Sequence, residues 1–544
     1  MDAPSHPRAG TDDSLAEVIR LLRLAQTGHR EQALALADEH LRVAETPGML
    51  YVRAAALIAM GDPEGAARTA ERILPLTAGD GIHGSPVDQA LVNGWRSIAL
   101  SFRAWARLRF SESDRRAFDL ESILHDLTQA EALLPEDVPD GFVMASARTC
   151  LGNGYSELRL FEFARPQYEL AFAAATAAPD VIVERAVASQ VNLTTIHLNW
   201  SMELLRIGDT VGAQEKSDIA ARHAALAQKY ATTDETLPYA AHIALMLACA
   251  ESGSGDPLMS ADRIRAELNG LEGGARESRA FALPFLARAL DQAGQHTEAQ
   301  EVAKQAISAL PDNASWVTAA PAYHTLATLL ARSGSDWARA ALAYGDQLAE
   351  ELWRQRLRTL HNARSMQVLE RVTLERDQVQ VLANTDALTG VGNRRAFDVR
   401  MANLAMARAD APDVAMIVVD VDALKAINDA GGHEAGDRTL KGVAGALISQ
   451  VRPGDLVARL GGDEFAAVLQ GLDRAAAEEV AQGMVDAVSA ALGSTVTVSV
   501  GVATGPASEA GSSLLRAADR AMYAAKRNRR ILMTGKQPVV ADQN

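Results

Sequence analysis

The chain is poor in cysteine: 544 residues contain Cys150 and Cys249 and no others. That excludes a disulfide framework and a thiolate metal site, and it fits a reducing compartment such as the cytosol. Long apolar runs are missing too. No uncharged apolar stretch approaches the roughly 20 residues a bilayer span requires, so no membrane partner is expected. Aromatic residues make up only 5%. All six tryptophans, from Trp95 to Trp353, precede residue 386. Positive charge is scarce as well, the net charge being −16. Counted from Asp386 the net is −2, leaving −14 on the earlier part. An acidic first part argues against a nucleic-acid partner. The length implies several domains, and the uneven charge implies that they differ in role.

What is present first is alanine and leucine in helical spacing, up to about residue 345. A Gly-x4-Ala frame recurs at Gly28/Ala33, Gly61/Ala66, Gly208/Ala213 and Gly294/Ala299. Arg159/Ala164 fits it without the glycine. A second alanine follows three of these, at Ala171, Ala220 and Ala306. Such a frame suits a helical hairpin, with glycine ending one helix and small residues letting the next approach closely. It resembles a diverged tetratricopeptide array; a non-repeating solenoid or bundle is the alternative. Residues 346–385 then read as a linker helix. Val368, Val372, Glu375, Val379 and Leu382 fall at spacings of four and three, a short coiled-coil seam.

From Asp386 the pattern becomes strands alternating with helices. Val414 to Val421 reads as a buried strand, Leu456 to Leu469 as a hairpin, and Thr495 to Ala503 as a further strand. Helices are expected over residues 435–451, 474–492 and 512–528. The hairpin tip is Gly461-Gly462-Asp463-Glu464. Paired glycines let backbone approach a bulky anion, and the acids beside them can hold a hard cation. The strand Met416 to Asp422 also ends in acids, and carboxylates at a buried strand end demand a partner or a metal.

These segments, in their order, resemble the GGDEF family of diguanylate cyclases. The resemblance rests on Asp386 to Arg395, Asp420 to Asp437, the GGDEF run at 461–465, and Ser499 to Ala503. It implies a helical-repeat domain over 1–345, a linker to 385, a palm-like α/β cyclase domain over 386–535 and a tail over 536–544. It further implies that two GTP condense to cyclic di-GMP and two pyrophosphates in a homodimer, with two Mg²⁺ or Mn²⁺ per active site. Asp420, Asp463 and the Val421 carbonyl would hold metal, with Glu464 beside them. Asn428 and Asp437 would read guanine. The Ala423 and Leu424 amides, Lys526 and Arg530 would hold phosphates. Arg452 and Asp455, six residues before Gly461, match the family's product-inhibition pair. Arg529 stands where the family's last motif carries glycine, which implies altered helix termination. The helical part would bind a protein or peptide. The alternative is a non-catalytic receptor for GTP or cyclic di-GMP.

Overall fold

A computed structural model describes residues 12–534, apart from residues 27, 78–85, 114–118, 136–140, 178–181, 234–235, 272–275, 312–313, 315, 407–411, 453, 494 and 508–511. The expected tail at 536–544 lies outside the described residues. Two compact units divide after Val372. That point falls inside one long helix, which begins before the expected linker at 346.

The first unit is helical throughout its described residues. Helix α1 (Asp12–Gln26) pairs with α2 (Arg30–Val43), and α3 (Pro47–Ala59) with α4 (Pro63–Glu71). The single turn α5 (Ile73–Leu76) precedes α6 (Pro86–Ser113) and α7 (Leu120–Ala132). Three further pairs are α8 (Phe142–Glu157) with α9 (Phe161–Ala177), α10 (Val183–Arg206) with α11 (Thr210–Tyr230), and α12 (Leu237–Glu251) with α13 (Pro257–Asn269). Helix α14 (Arg276–Gln292) pairs with α15 (His296–Ser308); α16 (Trp316–Arg332) and α17 (Asp336–Asn384) follow.

One turn type joins most partners. Gly28, Gly61, Gly208, Gly255, Gly294 and Gly334 all lie at φ between +80° and +101°. At all of these but Gly255 the next residue's amide reaches a carbonyl five positions back, as in Asp62 to Leu57 and Asp209 to Leu204, both 2.9 Å. This is the Schellman ending, which satisfies carbonyls the helix leaves free. The following helix starts at once: Asp62, Asp209 and Asp256 accept from its first amides at 2.8–2.9 Å. Arg159 takes the glycine's place at φ +59°, with the same bond from Leu160 to Tyr155 at 2.9 Å. The alanines of the frame are packing positions: Ala33, Ala66, Ala164, Ala213 and Ala299 are at most 1% exposed. Gly255 and Gly334 escape the frame because Ser260 and Arg339 stand five residues on.

Two large apolar clusters, with three small ones beside them, fill this unit among the described residues. One joins α1 to α10 and takes in Leu360 and Ala363 of α17; the other runs from α10 to α16. Helix α10 serves both, through Leu193 and Ile196 on one side and Leu198 and Met202 on the other.

The second unit holds α18 (Arg394–Ala405), β1 (Val414–Val421), α19 (Leu424–Gly431), α20 (His433–Ile448), β2 (Leu456–Gly461), β3 (Glu464–Gln470), α21 (Arg474–Leu492), β4 (Val498–Gly505) and α22 (Ser512–Thr534). The sheet order is β2-β3-β1-β4 and every pairing is antiparallel. All eight residues of β1 are buried, because both its faces are covered. Val414, Met416 and Val418 meet α18 and α22; Ala415, Ile417, Val419 and Val421 meet α20 and α21. Gly501 lets α22 lie close on β4, since a Cβ there would fall 2.2 Å from the Ala518 carbonyl oxygen. Helices α18 and α19 were not expected from the sequence. Helix α22 continues through Arg529 to Thr534, with no stop where the family pattern has glycine. Among the described residues, no helix is long and apolar enough to cross a membrane.

Candidate functional site

The site grows from the end of β1. Period-two alternation places Asp420 on the face shared with α22, just beyond the apolar Val418. Its neighbours in register are Glu464 on β3 and Ser499 on β4. Directly opposed residues share a face, so two acids from distant segments meet. The hairpin closes by a two-residue loop, Gly462-Asp463, with Gly462 at φ +56°. A first loop residue at positive φ matches the twist of the flanking strands. The Asp463 carbonyl accepts from the Val421 amide at 3.0 Å, which fixes the tip against the end of β1.

Charge is crowded here. Lys526 of α22 donates to Asp420, whose side chain is 9% exposed. Burial, with the Asp463 and Asp422 charges, still lifts the Asp420 carboxyl above the usual range. Glu464 is raised as well, by burial and then by Asp519, Asp420 and Asp463. Carboxylates that repel one another in this way are relieved by a cation, so the donor set suits a hard divalent ion. Among the described residues no group of three His, Cys, Asp or Glu side chains converges on one point. An ion would therefore need carbonyl or substrate oxygens in addition to Asp420 and Asp463.

Asp422 has a different fate. It accepts from the hydroxyls of Thr497 at 2.8 Å and Ser499 at 2.7 Å, which ties β1 to β4. The next residue, Ala423, turns the chain at φ +56° and leads into α19. The start of that helix has amides without intrahelical acceptors. On α19, Asn428 is half-buried against α20, and a Cβ on Gly436 would lie 2.0 Å from its Oδ1. Asp437 follows that glycine and is exposed. Asn428 thus packs against the residue that immediately precedes Asp437. Arg530 lies on α22 one turn after Lys526, and its side chain is outside the described residues.

Arg452 and Asp455 are not at the tip. They precede β2 at the open end of the hairpin, a strand length of ~17 Å away. Arg452 is paired with Asp455 at 3.4 Å and donates to the Gln470 carbonyl, while Asp455 accepts from the Gln470 amide at 3.3 Å. Pro453, read as part of this turn, lies outside the described residues.

Sequence reasoning missed Arg459. Its guanidinium donates to the Gly462 carbonyl at 2.7 and 3.0 Å and reaches Asp386 at 3.3 Å. Asp386 also accepts from the Thr389 amide and hydroxyl, at 3.0 and 2.6 Å. The hairpin tip is thus held to the start of the domain. Asp519 was missed too, although it stands seven residues before Lys526, on the same helix face.

Residues 383–531 match the family model for the diguanylate cyclase GGDEF domain. The C-terminal domain is a GGDEF domain. It is similar to the diguanylate cyclase DgcP of Pseudomonas aeruginosa, 37% identical over 152 residues, 27% of this chain and 23% of that protein. Similarity to the diguanylate cyclase TpbB of the same organism is 40% over 157 residues, 27% of this chain and 36% of that one. A solved structure of the coiled coil and GGDEF domain of DgcB from Caulobacter crescentus, in complex with c-di-GMP, is 30% identical. It covers 31% of this chain and 93% of that one, with a TM-score of 0.29. The chain spans between about a quarter and two thirds of the length of the curated relatives it matches.

Proposed function

We propose that this chain is a diguanylate cyclase whose helical first unit controls it. Two GTP molecules, one on each subunit of a homodimer, would face each other. The 3′-oxygen of each bonds to the α-phosphorus of the other as the bond to pyrophosphate breaks, and the hydroxyl proton is lost. The reading rests above all on the opposition of Asp420 and Glu464 beside the Asp463 turn.

Two Mg²⁺ or Mn²⁺ ions, held by Asp420, Asp463 and the Val421 carbonyl, would neutralise charge growing on the leaving group. Lys526 would then exchange its bond to Asp420 for phosphate oxygens, with Arg530 and the Ala423 and Leu424 amides. Asn428 and Asp437 would select guanine, because a carboxylate accepts from its N1–H and 2-amino group together. Glu464 would stand beside the metals. Arg452 and Asp455 would open their mutual pair to grip the product.

The helical hairpins form a tetratricopeptide-like array binding a protein or peptide, and the protein works in the cytoplasm. The decisive experiment incubates the full chain with GTP and Mg²⁺ and separates the nucleotides. Cyclic di-GMP and pyrophosphate should appear in a 1:2 ratio. Intact GTP would leave a receptor for GTP or cyclic di-GMP as the remaining reading.

A further inference from the structure

A cavity of about 200 Å³ opens between α10, α11, α12 and α14, far more room than one water requires (~10–15 Å³). Leu205 and Phe285 give it apolar walls, while Ser201, Ser217, Gln214 and Gln292 present hydroxyl and amide groups. One charged side chain lines it, Arg288 of α14. That side chain is half-buried, and its hydrogen-bond contact among the described residues is the Met202 sulfur at 3.5 Å. No carboxylate among the described residues pairs with it. A cation drawn partly out of water without a counter-charge is costly unless something completes it. Burial, and Arg332 nearby, accordingly push the Arg288 pKa down.

We propose that this cavity binds a small carboxylate-bearing molecule, recognised by Arg288. The planar guanidinium matches a carboxylate in a two-bond fork. One positive charge balances one carboxylate, whereas a phosphate dianion would remain half uncompensated in a site without a second cation on its wall. The hydroxyl and amide groups suit a hydroxyl or second polar group on the same molecule.

The cavity is wired to α17 within the same unit. Ser201 sits on α10 between Trp200 and Glu203. The Trp200 ring stacks on Phe161 at 5.6 Å and lies 5.8 Å from the Arg356 guanidinium of α17. Glu203 pairs with Arg159 at 2.7 Å, and the Arg159 carbonyl accepts from Arg356 Nε at 2.7 Å. A ligand seated against α10 therefore bears on the residues that anchor α17. The consequence for turnover rests on the cyclase reading; the binding itself does not.

The test is calorimetric titration of the full chain with sodium acetate, lactate and succinate, and separately with inorganic phosphate, at fixed ionic strength. At least one carboxylate should bind saturably. Arg288→Gln should weaken that binding at least about tenfold, the loss of one charge-assisted contact. Ser217→Leu, which fills the cavity and keeps the arginine, should do the same and carries the test if the arginine variant fails to fold. Phosphate binding without carboxylate binding, no saturation by any of the three below ~10 mM, or equal binding by folded variants would overturn the proposal. GTP turnover is measured in parallel. For the parent chain, no carboxylate binding with intact turnover sinks this site alone, and no turnover with intact carboxylate binding sinks the cyclase reading alone.

Discussion

His197 lies on α10 at 1% exposure, with neither ring nitrogen hydrogen-bonded among the described residues. It stacks on His223 of α11 at 5.7 Å and on Trp200 at 6.1 Å, with Lys216 above the Trp200 ring. Burial, then His223 and Lys216, push its pKa down to about 3. The folded ring therefore stays neutral where the unfolded one, near 6.5, takes up a proton. The full contribution to stability is present above pH ~6.5 and is progressively lost as pH falls from there toward 3. At pH 5 the gap of ~1.5 units corresponds to about 2 kcal/mol. That is a sizeable share of the ~5–15 kcal/mol typical of a folded domain. His197→Phe keeps the ring and removes the titration. We expect the parent to lose about 2 kcal/mol more than this variant between pH 7.5 and pH 5. Urea unfolding followed by tryptophan fluorescence measures this selectively, because all six tryptophans belong to the first unit. Parallel pH curves for parent and variant would refute the reasoning.

Asp463→Asn removes one carboxylate from the exposed hairpin tip and should cut cyclic di-GMP synthesis by ~100-fold or more with unchanged circular dichroism; near-parental turnover would dismiss the metal assignment. Arg452→Ala should leave initial rates alone but flatten inhibition by added cyclic di-GMP, and superimposable inhibition curves would reduce the pair to a turn fastener. Val372→Asp with Val379→Asp should weaken both self-association and turnover, since Val368, Val372, Val379 and Leu382 are all exposed on α17. Sedimentation equilibrium checks this, and an unchanged dimer constant would place the subunit contact elsewhere.

The GGDEF half was legible because its signals are local. β1 and α21 have the bounds expected for them, and the structure shows Asp473 capping the second. Helix α19 was hidden: its eight residues are too short to show a period, and none is buried. Helix α18 begins behind Asn393, which caps Ala396 at 3.0 Å, a signal that lay inside a family motif and was read only as motif. The role of Arg459 depends on a carbonyl and on an acid 73 positions earlier, which no window along the sequence connects. In the helical half, the frame located turns through glycine and alanine together. Where the small residue slipped by one, as at Gly255 with Ala261, the turn remained and the pattern vanished. The irregular interval from Gly208 to Gly294 is accordingly two hairpins rather than one.

Among the described residues, two without a glycine's freedom hold a left-handed backbone, Arg159 and Ala423. Strain of this kind costs roughly 1–3 kcal/mol and persists only where the surroundings enforce it. At Ala423 the enforcing contacts come from both sides: the Asp422 amide bonds the Thr497 carbonyl at 2.9 Å, and the Ala423 carbonyl accepts from Ala426 at 2.9 Å. The chain must leave β1 and enter α19 within two residues. At Arg159 the other hairpin turns show that glycine would suffice for the backbone. The side chain gives a reason for keeping arginine, because it neutralises Glu203, itself only 5% exposed. Glycine there would ease the turn and leave a carboxylate buried without its partner, a loss of larger size. The turn's carbonyl also receives Arg356, so one residue joins a helix ending, a buried ion pair and the anchor of α17.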